Sequence, residues 1–472
     1  MTIRLLRVSI ALATIALLVD ACGKVDNQQH HDKLQALVTS TPAWVDRGPL
    51  GKKLWAFERA FYESRGYLPA WIDGDAPTAQ MKDLISQLHY SERHGLSPAR
   101  YGVEAFEQAR ERSQTRMRGT RFALESVPEL DAKMTYAYLR YAADLLGWDS
   151  NSRDIDPNWL TAPKKEDLAA RLTTAVNEQK VRDSLEALAP SHPQYKGLQA
   201  ALEREQQNPT GHVDRIKMNM ERWRWAPRDL GDRYILINVP AYQMQVVEGD
   251  KPTLAMRVIV GQPDHRTPIF SDEMTYVVFS PYWNIPEEIL RNETLPKVVR
   301  DPEYLERNHI EVVGTSGKGE PIDPSSIDWS DEDEIKRVRF RQAPGDENAL
   351  GLVKFIFPNH FDVYLHDTPT DTLFNKPQRA LSHGCIRVEE PVALAKYVMR
   401  DRPEWTDERI GDAMHANREQ PVKLKTMLPV HIGYWTAWVE PDGKTVTYTD
   451  DPYGYDRAQS RLIAAKSSKT NT

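Results

Sequence analysis

The hydrophobic positions follow a helical spacing in the first half of the chain, from residue 54 to about residue 205. Two sets of apolar residues each line one helix face: Met81, Leu84, Ile85 and Leu88, and then Leu130, Met134, Tyr138, Tyr141 and Leu145. Gly95 and Gly147 follow these sets at places where helices commonly end. The front of the chain is therefore predicted to be helical.

The pattern changes beyond residue 218 to short β-favouring runs between prolines and glycines. These runs are residues 234–238, 242–247, 254–260, 274–279, 353–357, 361–365, 430–439 and 445–449. Pro391 suits the first turn of a helix, so one helix is expected to begin there. The predicted fold class is α+β, with a helical N-terminal domain followed by a mainly-β domain.

The same patterns predict the domain boundaries. Residues 44–205 are expected to form the helical domain and residues 219–465 the β-rich domain, joined by a linker at 206–218 that contains Pro and Gly. A polar and Gly-rich segment at about 300–345 is expected to be an insertion in the β-rich domain. Its acidic run at 331–334 lacks the glycine and the spaced oxygen ligands of a calcium loop, so we expect solvated loop and no metal.

The N-terminus has the layout of a secretory signal. Arg4 and Arg7 precede an apolar stretch at residues 8–19 that is too short to span a bilayer comfortably. Residues 1–21 are expected to be a signal peptide and residues 22–43, which are polar, a tether. No other segment of the sequence is long and apolar enough to predict a transmembrane helix.

The predicted cleavage site resembles the lipobox of bacterial lipoproteins, in which a cysteine is acylated. The sequence there is Val-Asp-Ala followed by Cys22, although Asp20 stands where a small neutral residue is usual. The resemblance implies lipidation of Cys22, and the alternatives are ordinary cleavage or an uncleaved anchor. Gly23 differs from the aspartate of inner-membrane retention signals, so we expect a periplasmic protein anchored to the outer membrane.

Composition and charge narrow the function classes. The chain has 472 residues, of which 27% are charged and 40% hydrophobic, an ordinary composition for a protein with a large core. The net charge of -7 gives no electrostatic reason to expect nucleic acid as a partner. Cys22 and Cys385 are the only two cysteines. Each is therefore a candidate for chemistry of its own.

The candidate chemistry lies between residues 364 and 387. Because side chains alternate along a strand, Tyr364 and His366 would share the face turned away from the core. Cys385 and Arg387 would share a face in the same way. An imidazole beside a thiol can take its proton and activate it as a nucleophile.

Two further residues of this segment suit a site for acyl transfer. Gly384 permits a tight turn that brings backbone N–H groups near the sulfur, where they could stabilise an oxyanion. Arg387 could hold a substrate carboxylate with two parallel hydrogen bonds. The alternatives are an inert buried cysteine with structural histidines, or a zinc site of His366, His383 and Cys385. The zinc alternative lacks a second thiol and a recognised ligand spacing.

The segment Ser-His-Gly-Cys-Ile-Arg at 382–387 resembles the signature of L,D-transpeptidases with a YkuD-type catalytic domain. In that family an upstream histidine is paired with the segment, and His366 corresponds to it. Residues 219–225, 281–286, 341–345, 348–351 and 355–359 are similar to the large YcbB-type members. Residues 94–98 and 130–132 resemble the scaffold domain of those members, so the similarity covers nearly the whole mature chain.

The resemblance implies an enzyme that forms 3→3 cross-links in peptidoglycan without a cofactor. His366 would activate Cys385, which attacks the third residue of a tetrapeptide stem and releases D-alanine. Amides around His383, Gly384 and Cys385 would stabilise the oxyanion. An amine of a neighbouring stem would then resolve the thioester, beneath the insertion at 300–345 acting as a lid.

The resemblance also implies supporting roles for neighbouring side chains. Arg387, Tyr364 and Ser382 would bind substrate. Asp367 would orient His366, through its backbone carbonyl or, as a rival, through its carboxylate.

The sequence departs from the family pattern in two respects, and several alternative functions remain open. The large members usually carry a peptidoglycan-binding module before the segment at 219–225, and residues 205–217 are too few for one. A lipobox-like start is the second departure. The same thiol chemistry could use water, a free D-amino acid or an envelope protein as the acceptor. An inactive wall-binding tether is the alternative from another class, although such a tether would need no thiol.

Overall fold

The computed structural model describes residues 30–74, 76–115, 126–161, 164–249, 251–301, 303–315 and 319–470. The predicted signal peptide, Cys22 and the start of the tether lie outside the described residues. The chain divides into two compact units. The first contains Met1–Asp154, Ala162–Arg228 and Ala437–Thr447, and the second contains Ile155–Thr161, Asp229–Thr436 and Tyr448–Thr472. Within the described ranges, no helix is both long and apolar enough to cross a membrane.

The first unit is helical, as predicted. Its helices are α1 (30–39), α2 (Pro49–Ser64), α3 (Ala79–Tyr90), α4 (Val103–Thr115), α5 (Val127–Leu145), α6 (Leu168–Asn177), α7 (Val181–Glu186), α8 (Pro193–Gln207) and α9 (Val213–Trp225). A small hairpin of β1 (Ile72–Asp73) and β2 (Ala76–Pro77) lies between α2 and α3. Short 3-10 turns cover Ser91–His94, Pro98–Tyr101 and Ser152–Asp154.

The two helices predicted from apolar spacing are confirmed. Thr78 caps α3 by accepting a hydrogen bond from the Met81 amide. Gly95 and Gly147 both have positive φ, of 71° and 73°, which ends the helical path as predicted. The apolar faces of both helices are buried in the core of the unit.

Asp131 anchors the connection that follows α2. Its buried carboxylate accepts hydrogen bonds from the Ala70 and Trp71 amides at 2.9 and 2.8 Å, and from the Tyr62 hydroxyl at 2.7 Å. Burial raises the pKa of Asp131 to about 6. A single carboxyl group on α5 therefore satisfies the backbone of a turn that comes about 60 residues earlier in the chain.

Two segments expected to be irregular contain helices. Residues 30–39 of the predicted tether form α1, in which Leu34 and Val38 are buried. Within the predicted linker, α8 continues to Gln207 and α9 begins at Val213. The Glu205 carboxylate accepts hydrogen bonds from the backbone between them, which fixes this turn.

The second unit is mainly β, as predicted. Its strands are β3 (Arg233–Asn238), β4 (Gln243–Glu248), β5 (Lys251–Gly261), β6 (Ser271–Phe279), β7 (Trp283–Asn284), β8 (Ile310–Gly314), β9 (Val338–Gln342), β10 (Val353–Ile356), β11 (Leu365–His366), β12 (Ala380–Ser382), β13 (Ile386–Val388) and β14 (Gln420–Gly433). The strands β15 (Ala437–Val439) and β16 (Val446–Tyr448) form a separate pair, which belongs to the first unit except for Tyr448.

Short helices connect these strands. They are α10 (Glu287–Ile289), α11 (Leu295–Arg300), α12 (Tyr304–Arg307), α13 (Glu332–Ile335), α14 (Pro391–Met399), α15 (Asp407–Met414) and α16 (Tyr455–Thr470). Single turns cover Leu290–Thr294, a π-helix, and Pro324–Ser326 and Asp371–Asn375, which are 3-10 helices. The helix predicted at Pro391 is thus confirmed as α14.

The main sheet closes into a ring. Its strand order is β12-β5-β13-β11-β10-β6-β14-β3-β4, and β4 pairs with β5 as well. Strands β11 and β13 lie side by side within it and run parallel. This arrangement places the two segments of candidate chemistry on neighbouring strands.

The strand predicted at 361–365 is wrong over most of its length, since only Leu365 and His366 pair in the sheet. The preceding residues form a loop built around the Asn359 side chain. Its amide donates to the carbonyls of Phe357 and Val363, and its oxygen accepts from the Phe361 amide. These local hydrogen bonds replace the ladder that a strand would need.

The insertion has a hydrophobic core of its own. Strands β7, β9 and β8 form its sheet, and its core includes Ile285, Leu290, Val298 and Phe340. This core extends before residue 300, where the insertion was predicted to begin. The acidic run at 331–334 was predicted to be loop, and this is wrong for most of it: residues 332–334 begin α13, because the Asp331 side chain caps its first turn.

Candidate active site

Neighbouring parallel strands bring the candidate residues together. In the register of β11 and β13, Leu365 is opposite Ile386 and His366 is opposite Arg387. The Ile386 amide donates to the Tyr364 carbonyl at 3.1 Å, which places Tyr364 beside Cys385. Since side chains alternate along each strand, His366 and Arg387 share one face of the sheet.

The tautomer of His366 follows from its hydrogen bond. The Nδ1 atom lies 2.6 Å from the backbone carbonyl oxygen of Asp367, and the ring is buried. A carbonyl only accepts, so Nδ1 carries the hydrogen and Nε2 has a free lone pair. Burial, together with the nearby charge of Arg387, lowers the pKa of His366 to about 3. The imidazole is therefore neutral at pH 7 and can act as a base.

The thiol of Cys385 is also neutral at rest. Burial raises its pKa to about 11, although hydrogen bonds from Tyr364 and the charge of Arg387 oppose this shift. The sulfur lies 3.8 Å from the carbonyl oxygen of Asp362, to which the thiol donates a weak hydrogen bond. Cys385 and His366 are thus both neutral at rest, rather than a thiolate and an imidazolium.

The turn before Cys385 is fixed by Ser382. Its buried hydroxyl donates to the Cys385 carbonyl at 2.6 Å and accepts from the Gly384 amide at 3.2 Å. Gly384 has a φ of 113°, a conformation that favours glycine. Ser382 therefore contacts the turn itself, and the Gly384 amide that sequence reasoning offered to an oxyanion already has an acceptor.

The carboxylate of Asp367 has partners other than His366. It accepts hydrogen bonds from the Leu352 amide at 2.8 Å and from the Thr368 amide at 2.7 Å. A Cβ atom on Gly351 would come within 2.3 Å of this carboxylate. Of the two groups of Asp367 considered from the sequence, the carbonyl is therefore the one that contacts the imidazole.

Tyr364 and Arg387 complete the surroundings of the thiol. The rings of Tyr364 and His366 meet edge to face, 5.7 Å apart, and burial together with Cys385 raises the pKa of Tyr364. Arg387 is largely enclosed, and its Nε atom has no hydrogen-bond partner among the described residues. Burial lowers the pKa of Arg387, but arginine remains charged at neutral pH. A buried cation with an unpaired donor suits an incoming carboxylate.

Comparison with known proteins assigns both parts of the chain. Residues 58–202 match the Scaffold domain, and residues 232–432 match the L,D-transpeptidase catalytic domain YkuD. A Haemophilus influenzae protein named as a candidate L,D-transpeptidase is 30% identical over 407 residues, which are 84% of this chain and 77% of that protein. The chain belongs to the L,D-transpeptidase family.

Solved structures of L,D-transpeptidases resemble it much more distantly. One from Mycobacterium smegmatis is 13% identical, with a TM-score of 0.21, over 43% of this chain and 58% of that chain. L,D-transpeptidase 1 of Mycobacterium tuberculosis is 12% identical, with a TM-score of 0.16, over 43% of this chain and 60% of that one. The match thus spans less than two thirds of either solved chain.

Sequence reasoning missed a buried network beneath the Gly384 turn. The Thr267 hydroxyl donates to the Gly384 carbonyl at 2.8 Å and accepts from the Gly261 amide at 2.9 Å. The Tyr453 hydroxyl accepts from the Thr267 amide at 3.1 Å and donates to the Gly261 carbonyl at 2.7 Å. The only sequence signal was a loop with two prolines after β5, which does not distinguish a buried threonine from an exposed one.

The same loop and turn carry two histidines that contact glutamates of the insertion. His383 belongs to the Gly384 turn and His265 to the loop after β5, and their rings lie 4.9 Å apart. Over the described ranges, no group of three or more His, Cys, Asp or Glu side chains is placed to hold a metal ion.

Proposed function

We propose that the protein is a peptidoglycan L,D-transpeptidase that forms 3→3 cross-links by acyl transfer through Cys385. The arrangement that supports this most directly is the neutral Cys385 thiol and the neutral His366 imidazole on segments joined by parallel strands, together with the buried Nε of Arg387, which has no hydrogen-bond partner among the described residues. The pair supplies a nucleophile and its base, and the cation supplies a site for a carboxylate of the stem peptide.

In the first step, Cys385 attacks the carbonyl carbon of the third residue of a tetrapeptide stem. Because the resting thiol and imidazole are both neutral, the sulfur loses its proton to His366 Nε2 as the C–S bond forms. His366 then gives this proton to the departing nitrogen of D-alanine as the C–N bond breaks. The product is a thioester on Cys385 and free D-alanine.

The oxyanion of this step needs donors near the sulfur. The Gly384 amide donates to Ser382, so we assign the role to the amides of Cys385 and His383, which flank it in the turn. Ser382 and Thr267 would act as positioning residues, since their hydroxyls hold the backbone of the turn.

In the second step, an amine of a neighbouring stem attacks the thioester. The amine passes a proton to His366, a new amide C–N bond forms and the C–S bond breaks, and His366 returns the proton to the sulfur. A stem of three residues is thereby joined through its third residue to the third residue of another. Water as the acceptor would instead release a tripeptide.

The test is to incubate the full-length protein in detergent with disaccharide-tetrapeptide and to follow the products by mass spectrometry. We expect a cross-linked dimer that has lost one D-alanine, and a covalent adduct that maps to Cys385. Monomeric tripeptide as the main product would favour a carboxypeptidase. Exchange of the terminal residue with an added D-amino acid would favour a third acceptor.

A matched control separates catalysis from folding. The Cys385→Ala variant should bind the donor and form no adduct. The Cys22→Ser variant should give the same products and the same adduct as the unmodified protein. If Cys385→Ala yields the same products as the unmodified protein, the thiol mechanism is wrong.

We also propose that acylated Cys22 anchors the protein to the periplasmic face of the outer membrane. The support is the sequence at residues 1–23 alone. Cys22→Ser should move the protein from the membrane fraction to the soluble fraction. Continued membrane association of this variant would contradict the proposal.

A further inference from the structure

The insertion packs around its own core rather than sharing one with the ring of strands. Its buried side chains form a separate cluster that includes Val298, Leu305, Ile310 and Val312. A segment that has a hydrophobic core of its own can move as a rigid body relative to the rest of the domain. Its position relative to the site then depends on specific contacts at its boundary.

Two such contacts join the insertion to the site. Glu293 Oε1 lies 2.8 Å from His383 Nε2, and Glu288 Oε1 lies 3.5 Å from His265 Nδ1. Glu293 belongs to the π-helical turn Leu290–Thr294, and Glu288 belongs to α10 just before it. Short π-helical turns are often found at functional sites.

The two histidines of these contacts lie in the turn that carries Cys385 or directly against it. His383 precedes Gly384 in the turn that carries Cys385. A Cβ built on Gly384 would lie 3.9 Å from the His265 carbonyl oxygen, so the loop after β5 lies directly against this turn. Glu293 therefore contacts the catalytic turn itself, and Glu288 contacts the loop that lies against it.

We propose that Glu288 and Glu293 latch the insertion to the catalytic turn through His265 and His383, and that this latch decides whether an amine or water resolves the thioester. The inference rests on the proposed function, because it presupposes an acyl-enzyme at Cys385. A closed cover excludes bulk water and leaves the thioester accessible only to an acceptor that is bound in place.

The strength of the contacts suits a latch that must open. All four side chains are partly exposed, from 29% for His265 to 63% for Glu288. Pairs of this kind contribute weakly to stability and are screened by salt. Two weak pairs acting together can hold the insertion closed between substrate arrivals and still release it for each new stem.

The test compares two variants with the same change in charge. Glu288→Ala/Glu293→Ala removes both acceptors of the latch. Glu287→Ala/Glu332→Ala removes two glutamates of the same insertion that both pair with Arg291, which also belongs to the insertion. Each full-length variant is incubated with disaccharide-tetrapeptide, and the ratio of tripeptide to dimer is measured together with the rate of acyl-enzyme formation.

We expect the latch variant to raise the ratio of tripeptide to dimer by about 5-fold or more, while its acylation rate stays within about 2-fold. The control variant should match the unmodified protein in both measurements. An unchanged product ratio in the latch variant, or an equal change in the control, would overturn the proposal.

Failure of the proposed function would be visible separately, as absence of any acyl-enzyme in the unmodified protein. Hydrogen exchange tests the latch in that case as well. Amides of residues 287–300 should exchange faster in the latch variant than in the control variant. Equal exchange in the two variants would overturn the latch whatever the enzymatic result.

Discussion

The hydroxyl of Thr267 donates a hydrogen bond of 2.8 Å to the carbonyl oxygen of Gly384, a residue 117 positions later in the chain. Thr267 is fully buried, and its hydroxyl oxygen also accepts a hydrogen bond from the Gly261 amide. One side chain thus satisfies the backbone of both the loop after β5 and the catalytic turn. The position of Cys385 depends on this bridge, although Thr267 does not contact the sulfur.

Thr267→Val should therefore impair both folding and acylation. Valine keeps the shape but leaves the Gly384 carbonyl and the Gly261 amide without their partner, which costs about 1–3 kcal/mol of unfolding free energy. Urea denaturation and the rate of acyl-enzyme formation measure the two effects. Thr253→Val is the control, because its hydroxyl bonds a carbonyl on β4 and lies away from the turn. Equal losses in the two variants would argue against a positioning role.

The raised pKa of Cys385 predicts slow alkylation at neutral pH. In a Cys22→Ser background, Cys385 is the only thiol, so its reaction with iodoacetamide can be followed without interference. Because the pKa is about 11 rather than 9.0, the thiolate fraction at pH 7 is lower by roughly 100-fold. The rate should keep rising through pH 10. If the alkylation rate instead reaches a plateau between pH 6 and pH 8, the resting Cys385 is a thiolate and the prediction of a neutral thiol is contradicted.

The lowered pKa of His366 predicts a loss of stability in acid. Between pH 6.5 and about 3, the unfolded chain binds a proton at this residue that the folded protein does not. The free energy of unfolding should therefore fall with decreasing pH by about 1.4 kcal/mol per pH unit from this group. The contribution is fully present above pH 6.5 and is lost as the pH falls towards 3.

His366→Gln isolates this effect. His94 and His431 also have pKa values lowered by burial, but they contribute equally to the variant and to the unmodified protein. Denaturation at several values of pH should show a shallower acid slope for the variant. Parallel slopes would mean that His366 is not buried as a neutral imidazole.

Arg387→Gln should weaken recognition of the donor through a carboxylate. We expect kcat/KM to fall by about 10-fold or more, since the substrate loses a charge-assisted contact in an enclosed site. A donor with an amidated terminal carboxylate should lose a similar factor with the unmodified protein and little more with the variant. Arg387→Lys keeps the charge without the planar fork and should rescue only part of the loss. If the losses of kcat/KM from the Arg387→Gln variant and from the amidated donor simply add together, the donor carboxylate does not bind at Arg387.

Local patterns carried much of what could be predicted from the sequence. The helices before Gly95 and Gly147 and the strands β3 to β6 follow from apolar spacing and from glycine, which act within a few residues. The loop after Asn359 was not predicted, although its cause is also local. Its side chain bonds the backbone of residues 357–363, and a strand pattern in the apolar residues does not reveal that competition.

Contacts between distant segments could not be predicted from the sequence. Thr267 looks like any polar loop residue until β5 and β13 are placed side by side. Glu293 likewise lies in a segment whose pattern indicates only an exposed, charged turn. The partners of both residues are set by the closure of the sheet and by the position of the insertion, neither of which leaves a periodic signal.

The acceptor that fixes the tautomer of His366 has a consequence for how the enzyme tolerates mutation. The acceptor is the backbone carbonyl of Asp367, and every amino acid carries that group. No substitution at position 367 removes this carbonyl. The orientation of His366 therefore tolerates substitutions that would remove an orienting carboxylate. Only a change in the path of the chain, such as strain at Gly351, would turn the imidazole away.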